Sequence, residues 1–566
     1  MIDLQLDEVR RLTGPNLLWD KPGAIIDVLF NDIKHQRVLN CLQKWTKRLL
    51  TEFDWQAESY IYRVHAYGIN FAISAPLDSL YSACDLLELA WHCCVSELQN
   101  SAPIHWQKQL LDIKTALKDE QNPALLAFIA MAEQGQVCCL VDDDEVSLGM
   151  GATTHTWPVR ELPALQSINW QRFTPIPCAL ITGTNGKSTS VRLAAQIAKA
   201  AGISAGVTST DFIRVGDDII DHGDYSGPGG ARMLLRDKRC QMAFLEVARG
   251  GILRRGLPVT KVNAALITNI ASDHLGQYGI NTVAELAQTK FVVVKALQRD
   301  GVLVLNADDP LIVECASSIM LPICWFSQDE FHPLIQAQIQ QAQRAVFVRN
   351  NHIIYHYKGQ FEDLGDISTM PMTFAGAALH NVQNALGVVG LSKALNLANS
   401  AIIQGLSEFG RDSQDNPGRG NIYHLKGCQV IVDFAHNEHG MQAMINLALQ
   451  LNGNDYIAMF SHAGDRSDED IAKLTQAVSQ LNAKLYIAAE TQKYLRGRLP
   501  HEVTNLSKKY LVDCGVEPSL IHISDSPLQG AKLALQMANA GDVILLFVHD
   551  EREQVHQFLM HESEVE

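Results

Sequence analysis

The sequence lacks several features that mark particular classes of protein. Its apolar runs are all shorter than the roughly 18 residues that a membrane helix needs. Its 12 cysteines include no C-x-x-C pair, so neither a zinc ribbon nor a dithiol redox site is indicated. The formal net charge of −16 argues against a nucleic-acid coat or a polybasic membrane anchor. With no basic stretch leading into an apolar run at the start, we expect a cytoplasmic protein with reduced thiols.

The chain is too long for one hydrophobic core, and the texture of its sequence changes twice. Of its 566 residues, 47% are hydrophobic and 19% are charged, as in ordinary soluble proteins. We predict three domains, at residues 1–165, 166–415 and 416–566. The first has helical apolar spacing, as between Leu80 and Leu98, and no cluster of chemically reactive residues. We expect a separate α+β N-terminal domain that presents a polymer, mediates dimer contacts or braces the central sheet.

In the second region, short apolar runs alternate with helical patterns, which predicts a parallel α/β sheet. The predicted strands are Cys178–Thr182, Met242–Leu245, Ala264–Thr268 and Val302–Leu305. Polar residues follow each strand, among them Asn185, Glu246, His274 and Asp309. Because ligands bind at the carboxyl ends of strands in open α/β sheets, these residues predict one site.

The third region repeats the same α/β rhythm after the turn signal at residues 415–418. The predicted strands here are Val430–Phe434, Tyr456–Phe460, Lys484–Ala489 and Asp542–Phe547. This pattern predicts a Rossmann-like α/β C-terminal domain.

Residues 181–189, with the sequence I-T-G-T-N-G-K-S-T, follow a predicted strand and open a predicted helix. Glycines let backbone N–H groups turn toward an anion, and the helix N-terminus adds a positive dipole end. Lys187 would reach the β- and γ-phosphates, and the Ser188 hydroxyl would bind Mg²⁺. The loop departs from the usual pattern, because Ile181 stands where the first glycine is expected. We predict a nucleotide-binding phosphate loop in the central domain.

Three further residues are candidates on weaker grounds. Glu246 ends a strand where a second Mg²⁺ ligand beside Ser188 would lie, although a helix cap or a surface carboxylate has the same pattern. His274 follows the next strand beside Asp273 and could bind a metal, but a lone histidine is more often structural. The pattern around Lys290 alone indicates a solvated lysine.

The series of motifs resembles the Mur ligase superfamily, which includes peptidoglycan amino-acid ligases and folylpolyglutamate synthase. The motifs are G-T-N-G-K-S at 183–188, Asn269 with Asp273-His274, N-A-D-D-P at 306–310, H-N-V-Q-N-A at 380–385 and D-F-A-H-N at 433–437. The resemblance implies an ATP-dependent ligase that activates a carboxylate as an acyl phosphate and joins it to an amine.

The resemblance also assigns roles to individual residues, with ATP and Mg²⁺ as cofactors. Ser188 and Glu246 would hold one Mg²⁺, and His274 would help hold a second. Lys290 aligns approximately with a lysine that many members carry as a carbamate, so it would become a metal ligand. The implied catalytic residues are Lys187, Glu246, His274 and Lys290. The implied nucleotide-binding residues are Gly183, Thr184, Asn185, Gly186, Lys187, Ser188, Thr189, Asn269, His380, Asn384, Arg419 and Asp433.

A narrower resemblance is to the Mur-like part of the cyanophycin synthetases. It rests on D-Y-S-G-P at 224–228, A-R-G-G-I-L-R at 248–254, N-P-G-R at 416–419, G-D-R-S-D-E-D-I at 464–471 and L-R-G-R at 495–498. Those enzymes carry an ATP-grasp module before the Mur-like part, and the stretch between Gly151 and Thr182 is too short to hold one. A separate ATP-grasp ligase in the same pathway is therefore one partner to expect.

The expected substrates are an Asp- or Glu-containing peptide, which supplies the carboxylate, and an amino acid, which supplies the amine. A basic amino acid fits the second role. Arginines at 249–255 beside the metal site suit an anionic acceptor, although a solvated basic loop is the alternative. The acidic residues 465–470 suit a cationic amine, or else they begin a helix. The predicted substrate contacts are Ser226, Arg249, Arg254, His436, Asp465 and Arg466.

Two departures and two alternatives stay open. Phe434 and Glu438 stand where the family motif usually has tyrosine and proline, which changes a loop near the expected amine site. A peptidoglycan-type or folate-type ligase is one alternative, although the N-terminal region lacks a clear uridine-nucleotide turn. A non-catalytic nucleotide-binding partner subunit is the other. No nucleic-acid or membrane partner is expected, and a homo-oligomer is left open.

Overall fold

The computed structural model describes residues 3–102 and 104–564, and its first unit is an antiparallel sheet covered by helices. The elements are β1 (Leu4–Leu12), β2 (Gly23–Phe30), α1 (His35–Glu52), β3 (Tyr60–His65), β4 (Gly68–Ser74), α2 (Leu80–Leu98) and α3 (Trp106–Glu120). The strand order is β1-β2-β4-β3. The apolar positions that predicted a helix from Leu80 to Leu98 form α2, which packs Trp91 into the core with Phe71 and Leu42.

A second small unit follows, with its own core. It contains α4 (Pro123–Gln134), β5 (Cys139–Val141), β6 (Glu145–Leu148) and β7 (His155–Pro158), and the strands form an antiparallel sheet. Its core is aromatic, because Phe128 contacts the rings of Trp157 and Trp170, and Trp157 contacts Phe173. The packing of this unit thus extends beyond residue 165, to Phe173.

The central domain is built on an 11-stranded sheet. Its elements are β8 (Cys178–Thr182), α5 (Lys187–Ala200), β9 (Ala205–Thr208), β10 (Phe212–Val215), β11 (Asp218–His222), α6 (Pro228–Leu235), β12 (Met242–Glu246), α7 (Arg249–Arg255), β13 (Val262–Ile267), α8 (Val283–Lys290), β14 (Leu297–Asn306), α9 (Pro310–Ala316), β15 (Ile323–Ser327), α10 (Pro333–Gln340), β16 (Ala345–Arg349), β17 (His352–Tyr357), β18 (Gln360–Asp366), α11 (Leu379–Ala394) and α12 (Asn399–Glu408).

The strand order of this sheet places β8 at its functional centre. The order is β11-β10-β9-β12-β8-β13-β14-β15-β16-β17-β18, with parallel pairing from β9 through β16 and antiparallel pairing at both edges. Both faces are covered by helices, and the inner strands are therefore almost wholly apolar. The chain leaves β8 toward β9 on one side and later returns to β13 on the other, which opens a crevice at their carboxyl ends.

The C-terminal domain is a second α/β unit. Its elements are β19 (Arg419–Leu425), β20 (Cys428–Asp433), α13 (Glu438–Gln450), β21 (Tyr456–Phe460), α14 (Asp468–Ser479), β22 (Leu485–Ala489), α15 (Glu502–Asp513), β23 (Ile521–Ser524), α16 (Pro527–Met537), β24 (Val543–Phe547) and α17 (Arg552–Glu564). The strand order is β19-β20-β24-β21-β22-β23, and only β19 is antiparallel to its neighbour. The predicted α/β fold class is confirmed for the central and C-terminal regions.

The apolar runs predicted four strands of the central sheet and four of the C-terminal sheet, whereas the inner strands β9, β15 and β16 and the edge strands escaped prediction. Two predicted strands, Cys178–Thr182 and Tyr456–Phe460, have the observed bounds. The edge strands β11 (D-I-I-D-H) and β18 (Q-F-E-D-L-G-D) escaped prediction because neither carries a continuous apolar run. Among the described residues, no helix is both long and apolar enough to cross a membrane.

Candidate functional site

The phosphate loop joins β8 to α5 and depends on two glycines. Gly186 caps α5 with a left-handed φ of 84°. A Cβ at this position would lie 2.1 Å from Asn384 Oδ1. A Cβ at Gly183 would lie 1.9 Å from Thr268 Oγ1. The loop therefore accepts only glycine at both positions, and the N-terminus of α5 that follows it is suited to an anion.

Replacing Gly186 by alanine is expected to weaken binding of ATP, the predicted ligand, by about five- to hundredfold. The left-handed φ and the contact with Asn384 together strain the loop by on the order of 1–3 kcal/mol. Gly202→Ala is the matched control, because Gly202 also has a left-handed φ of 73° at the other end of α5 but has nothing within 4 Å of the added Cβ. Calorimetric titration measures both variants, and equal ATP affinities for them would contradict this account of the loop.

The loop is held in shape by side chains from the next two elements of the sheet edge. Asn269 accepts a hydrogen bond from Asn185 N (2.9 Å) and donates one to Asn185 O (3.1 Å). Lys290, at the end of α8, donates from Nζ to Gly183 O at 2.7 Å. Burial, with Lys187 nearby, lowers the pKa of Lys290 well below its usual value. The structure thus places Lys290 under the loop, as a buried amine rather than the solvated lysine its pattern indicates.

Glu246 is a buried carboxylate that lies near Lys187, Arg419 and Ser188. It ends β12 and is 2% exposed, and neither of its carboxylate oxygens accepts a hydrogen bond from any residue that the structure describes. Burial raises its pKa, against the opposing effects of Lys187 and Arg419. An unpaired buried carboxylate is costly unless a cation occupies the site with it. Carboxylate and hydroxyl oxygens, here Glu246 with Ser188, are the donors that Mg²⁺ prefers, so these residues fit the predicted ion.

A second set of possible metal ligands spans the two domains. Asp273 and His274 follow β13, whereas His436 follows β20 of the C-terminal domain, and their ligand atoms all lie within 4.8 Å of one another. Asp273 Oδ1 is buried and accepts no hydrogen bond from the described residues. The backbone of His274 is left-handed, with a φ of 49°. Imidazole and carboxylate groups in this arrangement could hold a divalent cation.

Of these groups, Ser188, Glu246, His274 and His436 line one cleft of about 530 Å³ between the central and C-terminal domains. The cleft brings together sixteen of the residues predicted as site residues from the sequence. They are Thr184, Asn185, Gly186, Lys187, Ser188, Thr189, Glu246, Asn269, His274, His380, Asn384, Arg419, Asp433, His436, Asp465 and Arg466. Predictions made on separate motifs therefore converge in space.

The C-terminal domain closes directly onto the phosphate loop. Asn185 and Asn437 exchange two amide hydrogen bonds of 3.0 Å, and Asn185 Nδ2 also lies 3.0 Å from His439 Nδ1. Arg419 begins β19 and packs over the ring of Phe434 at 4.7 Å. The phosphate loop is thus in direct contact with the C-terminal domain through Asn185.

Asp433 sits at the end of β20 beside the cleft. Burial raises its pKa to about 6, although Arg419 and nearby backbone N–H groups oppose this. Burial also lowers the pKa of His436 to about 3 and that of His549 to about 4, so these two neighbours stay uncharged above pH 5.

We expect ATP affinity to rise with pH through about 6, because an ionised Asp433 would accept hydrogen bonds from the ribose hydroxyls, its predicted contact, better than the neutral acid would. One pH unit below the pKa, only about a tenth of the carboxyl is ionised, so the affinity should differ about tenfold between pH 5 and pH 7.5. Titrations of MgATP into the wild type and Asp433→Asn separate this effect from the ionisation of ATP. The same pH profile for both proteins would contradict the prediction.

The remaining predicted substrate residues lie outside the cleft lining. Arg249 donates to His274 O (2.9 Å) and to Gln277 Oε1 (2.6 Å), whereas Arg254 is exposed. Ser226 is buried and donates to Asp224 Oδ1 at 2.6 Å. The arginines of α7 therefore do not converge on one point, and Arg249 instead holds the loop that carries His274.

Most of the acidic stretch in the C-terminal domain begins a helix. Ser467 caps α14, and the next three acidic residues lie in its first turn. Asp468 pairs with Arg498 at 2.7 Å, and Asp465 pairs with Arg496. Asp465 and Asp470 line the cleft, so these two are left as the candidates to meet a cationic amine.

Two arginines of the N-terminal domain contact the segment that follows His274 in the central domain. Arg63 donates to Gly279 O at 2.7 Å and pairs with Glu285 at 2.9 Å. Arg10 is 5% exposed, donates to Leu253 O at 3.1 Å and packs over the ring of Tyr278. Of the three roles left open by the sequence, the contacts of this domain support the bracing one.

Sequence reasoning missed a charge cluster beside the phosphate loop. Asp211 follows β9, whose end carries the same polar signal as the other strands, but the run Ala205–Thr208 is too short to mark a strand. Burial would raise the pKa of Asp211, yet Arg419, Arg192 and Arg552 together lower it to about 2. The adjacent Thr210 hydroxyl lies 3.3 Å from Ser188 Oγ, so this cluster reaches the expected metal site.

Two family models match the chain over the two domains that form the cleft. The model of the Mur ligase middle domain matches residues 181–392, and that of the Mur ligase glutamate ligase domain matches residues 418–547. The resemblance predicted from the motifs is confirmed.

Curated relatives match about two thirds of the chain. The cyanophycin synthetase of Geminocystis herdmanii is 32% identical over 373 residues, which are 66% of this chain and 42% of that protein. The chain thus matches less than half the length of this relative. The UDP-N-acetylmuramoyl-L-alanyl-D-glutamate--2,6-diaminopimelate ligase of Geobacter sulfurreducens is 23% identical over 400 residues, 66% of this chain and 73% of that protein.

Solved structures share the fold. E. coli FolC in complex with DHPP and ADP aligns with a TM-score of 0.52 and 17% identity, covering 68% of this chain and 89% of that one. E. coli FolC with ADP and without folate substrate gives 0.51 and 17%, over 69% and 90%. At these identities the likeness carries the fold alone.

Proposed function

Because the chain belongs to the Mur ligase family, we propose that it is an ATP-dependent carboxylate–amine ligase that forms an amide bond through an acyl phosphate. One observation carries the proposal. The phosphate loop and the unpaired, buried Glu246 face the C-terminal domain across a single cleft, into which Arg419, Asp433 and His436 project. Such a cleft holds a nucleotide and a second substrate together and shields both from water.

The chain offers two positions for divalent cations. Ser188 and Glu246 would hold Mg²⁺ at the phosphate loop, and His274 would hold a second ion with Asp273 and His436. Bound Mg²⁺ supplies neutralising charge to the phosphate oxygens. Lys290 joins these ligands only as a carbamate, which its lowered pKa favours because CO₂ reacts with the neutral amine.

Incubation with ¹³C-bicarbonate would then give a carbamate carbon signal in the NMR spectrum that Lys290→Met lacks.

The proposed reaction has two steps. A carboxylate oxygen of the acceptor attacks the γ-phosphorus of ATP, and the bond from that phosphorus to the β–γ bridging oxygen breaks, which releases ADP. The amine nitrogen then attacks the acyl carbon, the carbon–oxygen bond to phosphate breaks, and the nitrogen loses a proton. Lys187 offsets the charge on the phosphate during the first step. The closed cleft keeps water from the acyl phosphate.

For the substrates, we infer an Asp- or Glu-containing peptide as acceptor and a basic amino acid as amine. Asp465 and Asp470 in the cleft lining support this choice, because a cationic amine entering from the C-terminal side would compete with Arg496 for Asp465 and with the Ser467 hydroxyl for Asp470. The named activity of the cyanophycin synthetase relative agrees with a peptide acceptor. A separate ATP-grasp ligase would supply or extend such a peptide.

The test is release of ADP and phosphate by the purified protein with ATP and Mg²⁺. A panel of Asp- and Glu-containing peptides is crossed with the free amino acids, and Lys187→Ala serves as the inactive control. We expect release that needs one peptide and one amino acid together, with a product heavier than the peptide by that amino acid less water. ATP binding without any turnover across the panel would contradict the ligase and favour a nucleotide-binding partner subunit.

A further inference from the structure

Three arginines face a single carboxylate at the boundary between the domains. Asp211 of the central domain lies 2.5 Å from Arg192, 2.9 Å from Arg552 and 3.8 Å from Arg419. Arg192 is 2% exposed and also donates to Asn416 Oδ1 at 2.9 Å, so it is the fixed, structural partner of Asp211. Asp211 is therefore shared by three guanidinium groups, and Arg419 also interacts electrostatically with Glu246 and Asp433.

The other two arginines come from the C-terminal domain and share one support. Arg419 begins β19 and Arg552 begins α17, and their guanidinium carbons lie 4.7 and 5.0 Å from the centre of the Phe434 ring. The side chain of Arg552 is 42% exposed and lines the cleft. Among the described residues, Asp211 is its one acidic partner within salt-bridge distance.

Arg419 and Arg552 lie where phosphates would sit. Thr210, next to Asp211, contacts Ser188 of the phosphate loop at 3.3 Å, and Glu246, Lys187 and Arg552 line the same cleft. Guanidinium groups bind phosphate oxygens through paired hydrogen bonds, and an anion with several such oxygens satisfies two arginines where one carboxylate cannot.

We propose that Arg552 is a second arginine, alongside Arg419, that binds the phosphates of the nucleotide, and that Asp211 is the internal anion that holds both arginines when no nucleotide is present. This assignment rests on the proposed nucleotide site and deepens it. Phosphate binding would also favour closure of the cleft, because both arginines belong to the C-terminal domain and the phosphate loop belongs to the central domain. The ligand is identified by its chemistry as a nucleoside polyphosphate.

The experiment compares the binding of ATP and AMP by calorimetry in wild type, Arg552→Ala and Arg239→Ala. Arg239 is the matched control, since it is a half-exposed arginine paired with Asp237 and Asp218 on the central domain. We expect Arg552→Ala to weaken ATP binding by at least about tenfold, the size of one lost hydrogen bond to a charged group, and to change AMP binding much less. Arg239→Ala should bind both nucleotides as the wild type does.

The outcomes separate this assignment from the proposed function. ATP binding by Arg552→Ala within twofold of the wild type would overturn the role of Arg552 while leaving the ligase proposal intact. Equal losses for ATP and AMP would also overturn it, because they would mean a general disturbance of the cleft. Failure of the wild type itself to bind ATP would contradict the ligase proposal and this assignment together.

Discussion

Glu246→Gln is expected to lower MgATP turnover by about 10²–10³-fold, the usual cost of removing one electrostatic stabiliser from an active site. Glutamine keeps the shape of the side chain and loses the charge that would hold the cation beside Ser188. The loss should appear in kcat at saturating Mg²⁺, and the apparent affinity for Mg²⁺ should fall as well. ADP release at increasing Mg²⁺ concentrations measures both effects.

The same substitution should remove a pH-dependent weakness of the metal-free protein. Because burial raises the pKa of Glu246 above its ordinary value of 4.5, the folded state binds this proton more tightly than the unfolded state does. The contribution of Glu246 to stability is therefore full below about pH 4.5 and is lost as the pH rises through the raised pKa. Glutamine has no such dependence.

Denaturant unfolding at pH 5 and pH 8 with a chelator present tests this second effect. The wild type should lose stability relative to Glu246→Gln on going to pH 8, and added Mg²⁺ should restore it in the wild type alone. A variant that keeps its turnover, or a stability difference that does not change with pH, would show that Glu246 is not the buried cation ligand.

Lys187→Ala is expected to lower turnover by a similar factor, about 10²–10³-fold. In the structure its ammonium donates to Thr184 O at 2.9 Å, so the positive charge already lies at the loop, where a phosphate would bind. Alanine removes this charge at the point where the transferred phosphoryl group gathers negative charge. The variant should stay folded, since the loop is shaped by Gly183, Gly186 and Asn269.

Lys199→Ala is the matched control for Lys187→Ala. Lys199 lies near the end of the same helix, and its side chain is 57% exposed and pairs with Asp217 at 2.6 Å. We expect its ADP release and thermal midpoint to stay near those of the wild type. Turnover of Lys187→Ala within tenfold of Lys199→Ala would mean that the phosphate loop does not serve phosphoryl transfer.

The location of the site could be predicted from the sequence because parallel strands bring their carboxyl ends to one edge. Asn185, Glu246 and His274 each follow a short apolar run, and this alone placed them together. The phosphate loop was recognisable because its glycines and Lys187 are local in sequence. In both cases the relevant geometry is set by neighbouring residues and by the rules of sheet topology.

The contacts between domains could not be predicted, because no local pattern encodes them. Asn185 meets Asn437 across 252 positions of the chain, and Asp211 meets Arg552 across 341. Arg249 donates to His274 O, 25 positions further along the chain, and does not line the cleft. These pairings follow from how the domains pack against one another, which composition and periodicity do not contain.

The most direct test of the central claim follows oxygen from the acceptor into phosphate. Once the panel has identified a substrate pair, the acceptor is labelled with ¹⁸O in its reacting carboxylate and turned over with ATP. The account predicts one ¹⁸O atom in each phosphate released, because the attacking carboxylate oxygen leaves with the phosphoryl group. Phosphate without label, or release of AMP and pyrophosphate in place of ADP and phosphate, would contradict an acyl-phosphate ligase.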